Sequence, residues 1–317
     1  MAHYLDWIYL ASTLKNSLFS EGWGDIFDLN PISPQHLDDI PNLQVTSEGS
    51  WEKTPSGYIK NYEFMSPYKH ENFPQECQRI PTIVLNPQEK FDDNSKFAIL
   101  IAASGDEGFY SRLPISKLLL KKGIGSVICE GPFYGLRRPA GQIGSCLRTV
   151  GDLGHLGLAT LAENRSIAAW LLRQGVNKIC YAGISRGGQL AIISASISRF
   201  PVAVASVTGA FSAAPILNQG LMSKRICWKS LNHPQGKNIG MEKALEISNV
   251  YHYPPPILEN RIQLIGANSD GYVEPEWVQK LHEYIPKSKL DWVNGGHVST
   301  YIFQREKYAN AICQLLR

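Results

Sequence analysis

Ser185 lies in Gly183-Ile184-Ser185-Arg186-Gly187, the spacing of a serine presented for nucleophilic attack. Four apolar residues, Ile179 to Ala182, precede this segment as a buried strand would, and Leu190 to Ile197 follow with the composition of a helix. A strand–turn–helix of this kind strains the serine backbone and crowds the positions two residues to either side, which is the physical reason for both glycines. The helix also directs its positive end at the serine and favours an anion there. Glycine and serine are each 27 of 317 residues, so the pentapeptide alone arises by chance in roughly one chain in five of this size. The motif acquires meaning only if partners for Ser185 occur where strands end.

A hydroxyl nucleophile needs a base, a group to orient that base, and donors for the oxyanion. In an open α/β sheet these groups collect beyond the carboxyl ends of the strands. Of the eight histidines, only His297 directly follows a strand-like segment, Leu290 to Val293, and Gly295 and Gly296 permit the tight turn that would present it. The acid should follow a strand between Ser185 and His297. After Val202 to Val207 no carboxylate occurs until Glu242, but after Ile262 to Gly266 the first carboxylate is Asp270, with Gly271 allowing a turn and Glu274 as the fallback. The order serine, acid, histidine is that of one large class of hydrolases. The expected oxyanion donors are the backbone N–H of Arg186 and one from the loop after Phe97 to Ala103, at Ser104 or Gly105.

The elements that must position these residues alternate in type. Strand-like segments at Phe97 to Ala103, Ser126 to Cys129, Ile179 to Ala182, Val202 to Val207, Ile262 to Gly266 and Leu290 to Val293 are separated by helical stretches, including Leu153 to Leu172 and a closing helix over Gln304 to Leu316. This rhythm predicts an α/β fold with a mostly parallel central sheet and helices on both faces. Tyr58 to Phe64 alternates as a half-exposed edge strand does. Residues 1–56 are expected to form an N-terminal helix and an irregular wrapping segment, the helix burying a face of Leu5, Ile8, Tyr9, Leu14 and Leu18 against its own domain. Residues 57–317 form the main domain, interrupted by a small helical cap over about 211–257. That insertion carries Lys224, Arg225, Lys229, His233 and Lys237, expected as a solvated face, with a surface facing an acidic headgroup as the alternative.

Composition narrows the function. The balance of 31 basic and 28 acidic residues gives +3, too little to make nucleic acid the main partner. Six cysteines show no Cys-x-x-Cys pair and are expected as free thiols in a reducing, intracellular setting, the cytoplasm first. No apolar run approaches the roughly 18 residues of a transmembrane helix. Asp6 interrupts the N-terminal apolar stretch, no basic region precedes it, and a secretory leader is not expected; contact of that helix with a membrane surface is the alternative to simple packing. His-Glu-x-x-His, zinc-spaced Cys/His sets, a phosphate loop and a dinucleotide fingerprint are all lacking from the sequence, so no cofactor and no metal are expected.

Taken together, the chain resembles the α/β-hydrolase domain-containing protein 18 family of the α/β-hydrolase superfamily. The resemblance rests on Gly22-Trp-Gly24, Phe64-Met-Ser-Pro67, Ser104-Gly-Asp106, Gly131-Pro-Phe-Tyr-Gly-Leu-Arg-Arg-Pro139, Gly183 to Gly188, Thr208-Gly-Ala-Phe-Ser212, Asp270-Gly-Tyr-Val273 and Gly295-Gly-His-Val-Ser299. It departs from the family at Arg186, where a methionine is usual, and in a shorter cap than some animal relatives have. The resemblance implies an α/β-hydrolase fold. The expected activity is hydrolysis of a carboxylic ester through an acyl-enzyme on Ser185, with Phe133 and Tyr134 giving an apolar lining suited to a lipid or another hydrophobic acyl ester. A peptidase or acyltransferase would use the same residues, and a non-catalytic binding scaffold is the alternative of a different class.

Overall fold

A run of apolar residues with turn signals at each end becomes a buried strand when helices cover both of its faces. The computed structural model describes residues 1–26, 29–232 and 240–317. Its strands are β1 (Val45–Glu48), β2 (Glu52–Thr54), β3 (Gly57–Met65), β4 (Arg79–Asn86), β5 (Lys96–Ile101), β6 (Gly125–Cys129), β7 (Lys178–Ile184), β8 (Ala203–Val207), β9 (Ile262–Ala267) and β10 (Lys289–Val293). They form one sheet in the order β1-β3-β4-β6-β5-β7-β8-β9-β10, with β2 paired to β3. From β6 to β10 every pairing is parallel, and β1 to β4 add an antiparallel flank. The chain reverses its winding around β5, which puts the crevice for a ligand at the carboxyl ends of β5 and β7.

The described α-helices are α1 (Tyr4–Thr13), α2 (Leu113–Leu120), α3 (Val150–Arg173), α4 (Arg186–Ile197), α5 (Ala213–Asn218), α6 (Trp228–Leu231), α7 (Gly240–Ala244), α8 (Pro275–Tyr284), α9 (His297–Phe303) and α10 (Arg305–Leu315). Two apolar layers sandwich the sheet. One joins α3 and α4 to β5 and β7 through Trp170, Ile192, Ile99 and Tyr181; the other joins α2 and α10 through Leu119, Ile312, Leu100 and Ala182. Thr149 caps α3 by accepting from the Asp152 N–H at 2.9 Å, and Pro275 opens α8 at a position where its missing N–H costs nothing.

Several expectations are corrected. Residues 20–56 do contain strands, β1 and β2; every residue of β1 is exposed, so no hydrophobic alternation marks it. The chain closes with two helices, because α9 begins at His297 itself. In α1 the buried residues are Asp6 and Leu10, whereas Ile8 and, just after the helix, Leu14 are exposed and Tyr9 turns to the wall of the ligand crevice. Arg225 is buried rather than solvated, and His233 and Lys237 lie outside the described residues. All six cysteines are free thiols.

The Gly131 to Pro139 stretch is mainly structural. Phe133 adopts a positive φ of 65° and turns into the core beside Phe73 instead of lining the ligand crevice, whereas Tyr134 does line it. Arg137 is fully buried and grips Glu163 with both ends of its guanidinium, at 2.6 and 2.9 Å. It also donates to the Glu130 carbonyl at 2.8 Å. Removing one partner of a buried, two-point ion pair strands the other charge. Arg137→Ala should therefore lose about 3–5 kcal/mol of unfolding free energy in urea; a loss below about 1 kcal/mol would contradict this role.

Candidate active site

Ser185 occupies the sharp turn between β7 and α4 with φ 58° and ψ −127°. A non-glycine residue there carries strain of about 1–3 kcal/mol, sustained only when the surroundings enforce it. Enforcement comes from both sides. The Ser185 N–H donates to the Val207 carbonyl at 2.8 Å, and the Ser185 carbonyl accepts from Gly188 and Gln189 at 2.9 and 3.2 Å. The glycines are required by contact. A Cβ on Gly183 would stand 2.2 Å from the Gly187 carbonyl carbon, and one on Gly187 would stand 2.6 Å from the Ile101 oxygen.

His297 and Asp270 meet beyond the ends of β10 and β9. His297 Nδ1 lies 2.7 Å from Asp270 Oδ2. The other Asp270 oxygen accepts from the Tyr272 and Val273 N–H groups, both at 2.8 Å, so the carboxylate is fixed independently of the imidazole. Glu274, the fallback acid, is exposed at the start of α8. Burial pulls the His297 pKa down, but the charge and hydrogen bond of Asp270, with a smaller push from Asp6, outweigh it and hold the imidazole above its ordinary 6.5. With Nδ1 engaged, Nε2 is the nitrogen left to exchange a proton.

Ser185, Arg186, Ser104, Gly105 and His297 share the wall of one cavity of about 590 Å³. Phe19, Tyr134, Leu217 and Met222 are among its apolar lining residues, and Tyr9 and Thr13 of α1 belong to the wall as well. Asp270 stands behind His297, away from the cavity lining. Ser104 and Gly105 lie just beyond β5, with Gly105 at φ 75°. The Arg186 side chain is buried, donates to the Ala103 carbonyl at 3.0 Å and lies over the Tyr134 ring at 5.2 Å. Its guanidinium thus ties the start of α4 to the loop that carries Ser104, a contact for which sequence spacing offers no signal.

Two further polar groups carry no clear signal in the sequence. Asp6 of α1, which in sequence merely interrupts an apolar stretch, reaches into the loops that carry Asp270 and His297. His155 forms a second acid–imidazole pair, with Nε2 2.7 Å from Asp25 Oδ2 and Nδ1 2.9 Å from the Tyr68 hydroxyl. Both of its nitrogens are engaged, so it has none to offer a serine. Asp25, His70 and His155 bring potential ligand atoms within 4.8 Å of one another. His70 Nδ1 accepts from the Asn72 N–H at 3.2 Å and lies 3.9 Å from Asp25 Oδ2.

Solved structures share this arrangement of strands and helices. An acetyl xylan esterase from Thermoanaerobacterium sp. superposes with a TM-score of 0.61 at 14% identity, covering 97% of this chain and 99% of that one. An acetyl xylan esterase from Paenibacillus sp. gives 0.57 at 13% identity, over 87% of this chain and 90% of that one. An esterase of Pyrococcus furiosus gives 0.56 at 17% identity, over 90% and 98%. At such identities the likeness is one of fold, and the fold is that of the α/β-hydrolases. Sequence identifies the family more narrowly: the profile described as alpha/beta hydrolase domain containing 18 matches residues 16–243 and 235–317, and the chain belongs to that family.

Proposed function

We propose that this chain is a serine hydrolase that cleaves carboxylic esters through an acyl-enzyme on Ser185. The observation that carries the reading is the 2.7 Å His297–Asp270 pair beside a cavity that also holds a serine at φ 58°. Ser185 Oγ attacks the ester carbonyl carbon while His297 Nε2 takes its proton. The N–H of Arg186 and that of Ser104 or Gly105 hold the oxyanion, each such donor being worth about 3–4 kcal/mol in the transition state. The tetrahedral intermediate collapses, His297 returns the proton to the departing alkoxide, and an alcohol leaves. Water then attacks the acyl-enzyme by the same route in reverse, releasing the carboxylic acid and restoring Ser185. Asp270 keeps the imidazole in the tautomer with its proton on Nδ1 and stabilises the imidazolium.

The base works only when neutral. Because the folded protein favours the protonated imidazole, activity should rise with pH through an apparent pKa above 6.5 and level off beyond it. A kcat/KM profile under conditions where chemistry limits the rate checks this. A midpoint below about 6, or a flat profile from about pH 5 to 9, would argue against His297 as base.

A hydrophobic acyl group suits the cavity, whose lining is mostly apolar. The outer face of α1 supports the same reading. Tyr4, Trp7, Ile8 and Leu14 are exposed there, one helix face away from Tyr9 and Thr13 at the cavity wall, a placement suited to contact with a lipid surface. No described helix is long and apolar enough to cross a membrane. A series of p-nitrophenyl esters tests the acyl preference. Each methylene buried is worth about 0.8 kcal/mol, so kcat/KM should climb several-fold per methylene from acetyl toward longer chains until the cavity is filled. Activity confined to the acetyl ester would overturn the hydrophobic assignment.

A further inference from the structure

The Asp6 carboxylate is wholly buried, yet it comes from the first turn of α1, far from the sheet in sequence. One of its oxygens accepts from the Gly271 N–H at 3.0 Å and from the His297 N–H at 3.1 Å. The other accepts from the Val298 N–H at 2.9 Å. Gly271 follows the acid Asp270, and Val298 follows the base. A single carboxylate therefore bonds the backbone of both loops whose side chains form the 2.7 Å pair.

The neighbouring glycines fit this arrangement. A Cβ on Gly296 would stand 2.5 Å from Asp6 Oδ2 and 2.5 Å from His3 Cβ, and one on Gly271 would stand 2.5 Å from Ala2 Cβ. Glycine beside each loop residue thus lets the N-terminal segment approach, beyond any need of the turns themselves. His3 adds a backbone bond to the acid loop, donating to the Ser269 carbonyl at 2.8 Å, and the Tyr272 hydroxyl donates to the Asp6 carbonyl at 3.3 Å.

We propose that Asp6 is a positioning residue that holds the Asp270 loop and the His297 loop in register, so that the N-terminal helix completes the active site. The proposal rests on the Ser185, His297 and Asp270 reading above. Asp6 acts through the backbone and touches no substrate. Its charge also acts on the imidazole: among the described residues Asp270 and, more weakly, Asp6 are the charged groups that raise the His297 pKa, and the ring of Tyr272 lies against it at 5.3 Å. Replacing Asp6 by asparagine puts an N–H₂ against backbone N–H donors and removes that charge.

The test uses the rate of covalent labelling by a fluorophosphonate as a function of pH, in the full chain, for wild type, Asp6→Asn, Gly296→Ala and Leu10→Ala. Leu10 packs on Leu221 and Tyr272, so Leu10→Ala loosens the docking of α1 without touching the carboxylate. Misplacing a catalytic group by about 1 Å costs on the order of 100-fold. Asp6→Asn should slow labelling by about 10–100-fold and move its midpoint to lower pH. Gly296→Ala, which displaces the carboxylate from the opposite side, should slow labelling comparably and is read alone if the asparagine variant does not fold. Leu10→Ala should lower the melting temperature and leave the midpoint in place. Labelling of Asp6→Asn at the wild-type rate and midpoint, or of a folded Gly296→Ala at the wild-type rate, would overturn the proposal. Absence of labelling in wild type would instead overturn the Ser185 reading beneath it.

Discussion

Ser185→Ala should lower kcat for ester hydrolysis by about 10⁴–10⁶-fold and leave the protein folded. The loss is large because the nucleophile is the one group the mechanism cannot share, and what remains comes from binding and the oxyanion donors. Stability should barely move, since alanine keeps both the β-carbon and the strained backbone at φ 58°, ψ −127°. Ser185→Gly separates the two roles of this position. The backbone angles are the mirror image of an extended conformation, which glycine adopts freely. Glycine should therefore be equally inactive but about 1 kcal/mol more stable than alanine at this site. Hydrolysis by purified variants and urea unfolding together check both statements. An alanine variant retaining a tenth or more of wild-type kcat would remove Ser185 from the chemistry.

Asp270→Asn should cost about 10⁴-fold in kcat with little change in KM. The hydrogen bonds around the carboxylate give the reason. Oδ1 is committed to two backbone donors, Tyr272 and Val273, at 2.8 Å each. An asparagine must keep its carbonyl oxygen there, which turns its N–H₂ toward His297 Nδ1. The imidazole then has to accept at Nδ1 and carry its proton on Nε2, the nitrogen that should receive the serine proton. The same substitution removes the main charge that raises the His297 pKa, so the residual activity should rise with pH at a lower midpoint than in wild type. Steady-state kinetics across pH on Asp270→Asn provides the check, and a loss of less than about 10-fold would mean that Asp270 does not orient the base.

How much of the fold and site is legible in the sequence follows from where each signal is stored. Buried parallel strands such as β5 and β7 are continuous apolar runs, and a run of that kind is visible locally. Ser185 and Asp270 each follow a buried strand of that kind, whereas His297 follows the mostly exposed β10 and is marked instead by the two glycines before it. β1 is not legible, because all of its residues are exposed and its pairing to β3 leaves no apolar trace. The start of α9 at His297 has the local pattern of a turn, since the two glycines in front of it dominate. Asp6 is hidden for a different reason: its partners Gly271 and His297 lie 265 and 291 residues away, and its only local mark is a single acid in an apolar helix start. The same holds for Arg186, whose N–H is assignable from the motif while the contact of its guanidinium with the Ala103 carbonyl depends on the folded loop.

The account stands on Ser185 being an activated nucleophile, and site mapping of a covalent adduct tests this most directly. Folded wild-type protein is treated with a fluorophosphonate at about pH 8, on the alkaline side that favours a neutral base, digested, and the modified peptide is sequenced by mass spectrometry. The prediction is a single adduct on Ser185 that disappears in His297→Ala. A folded protein that takes no label, or that carries the adduct on another serine such as Ser104, would contradict it.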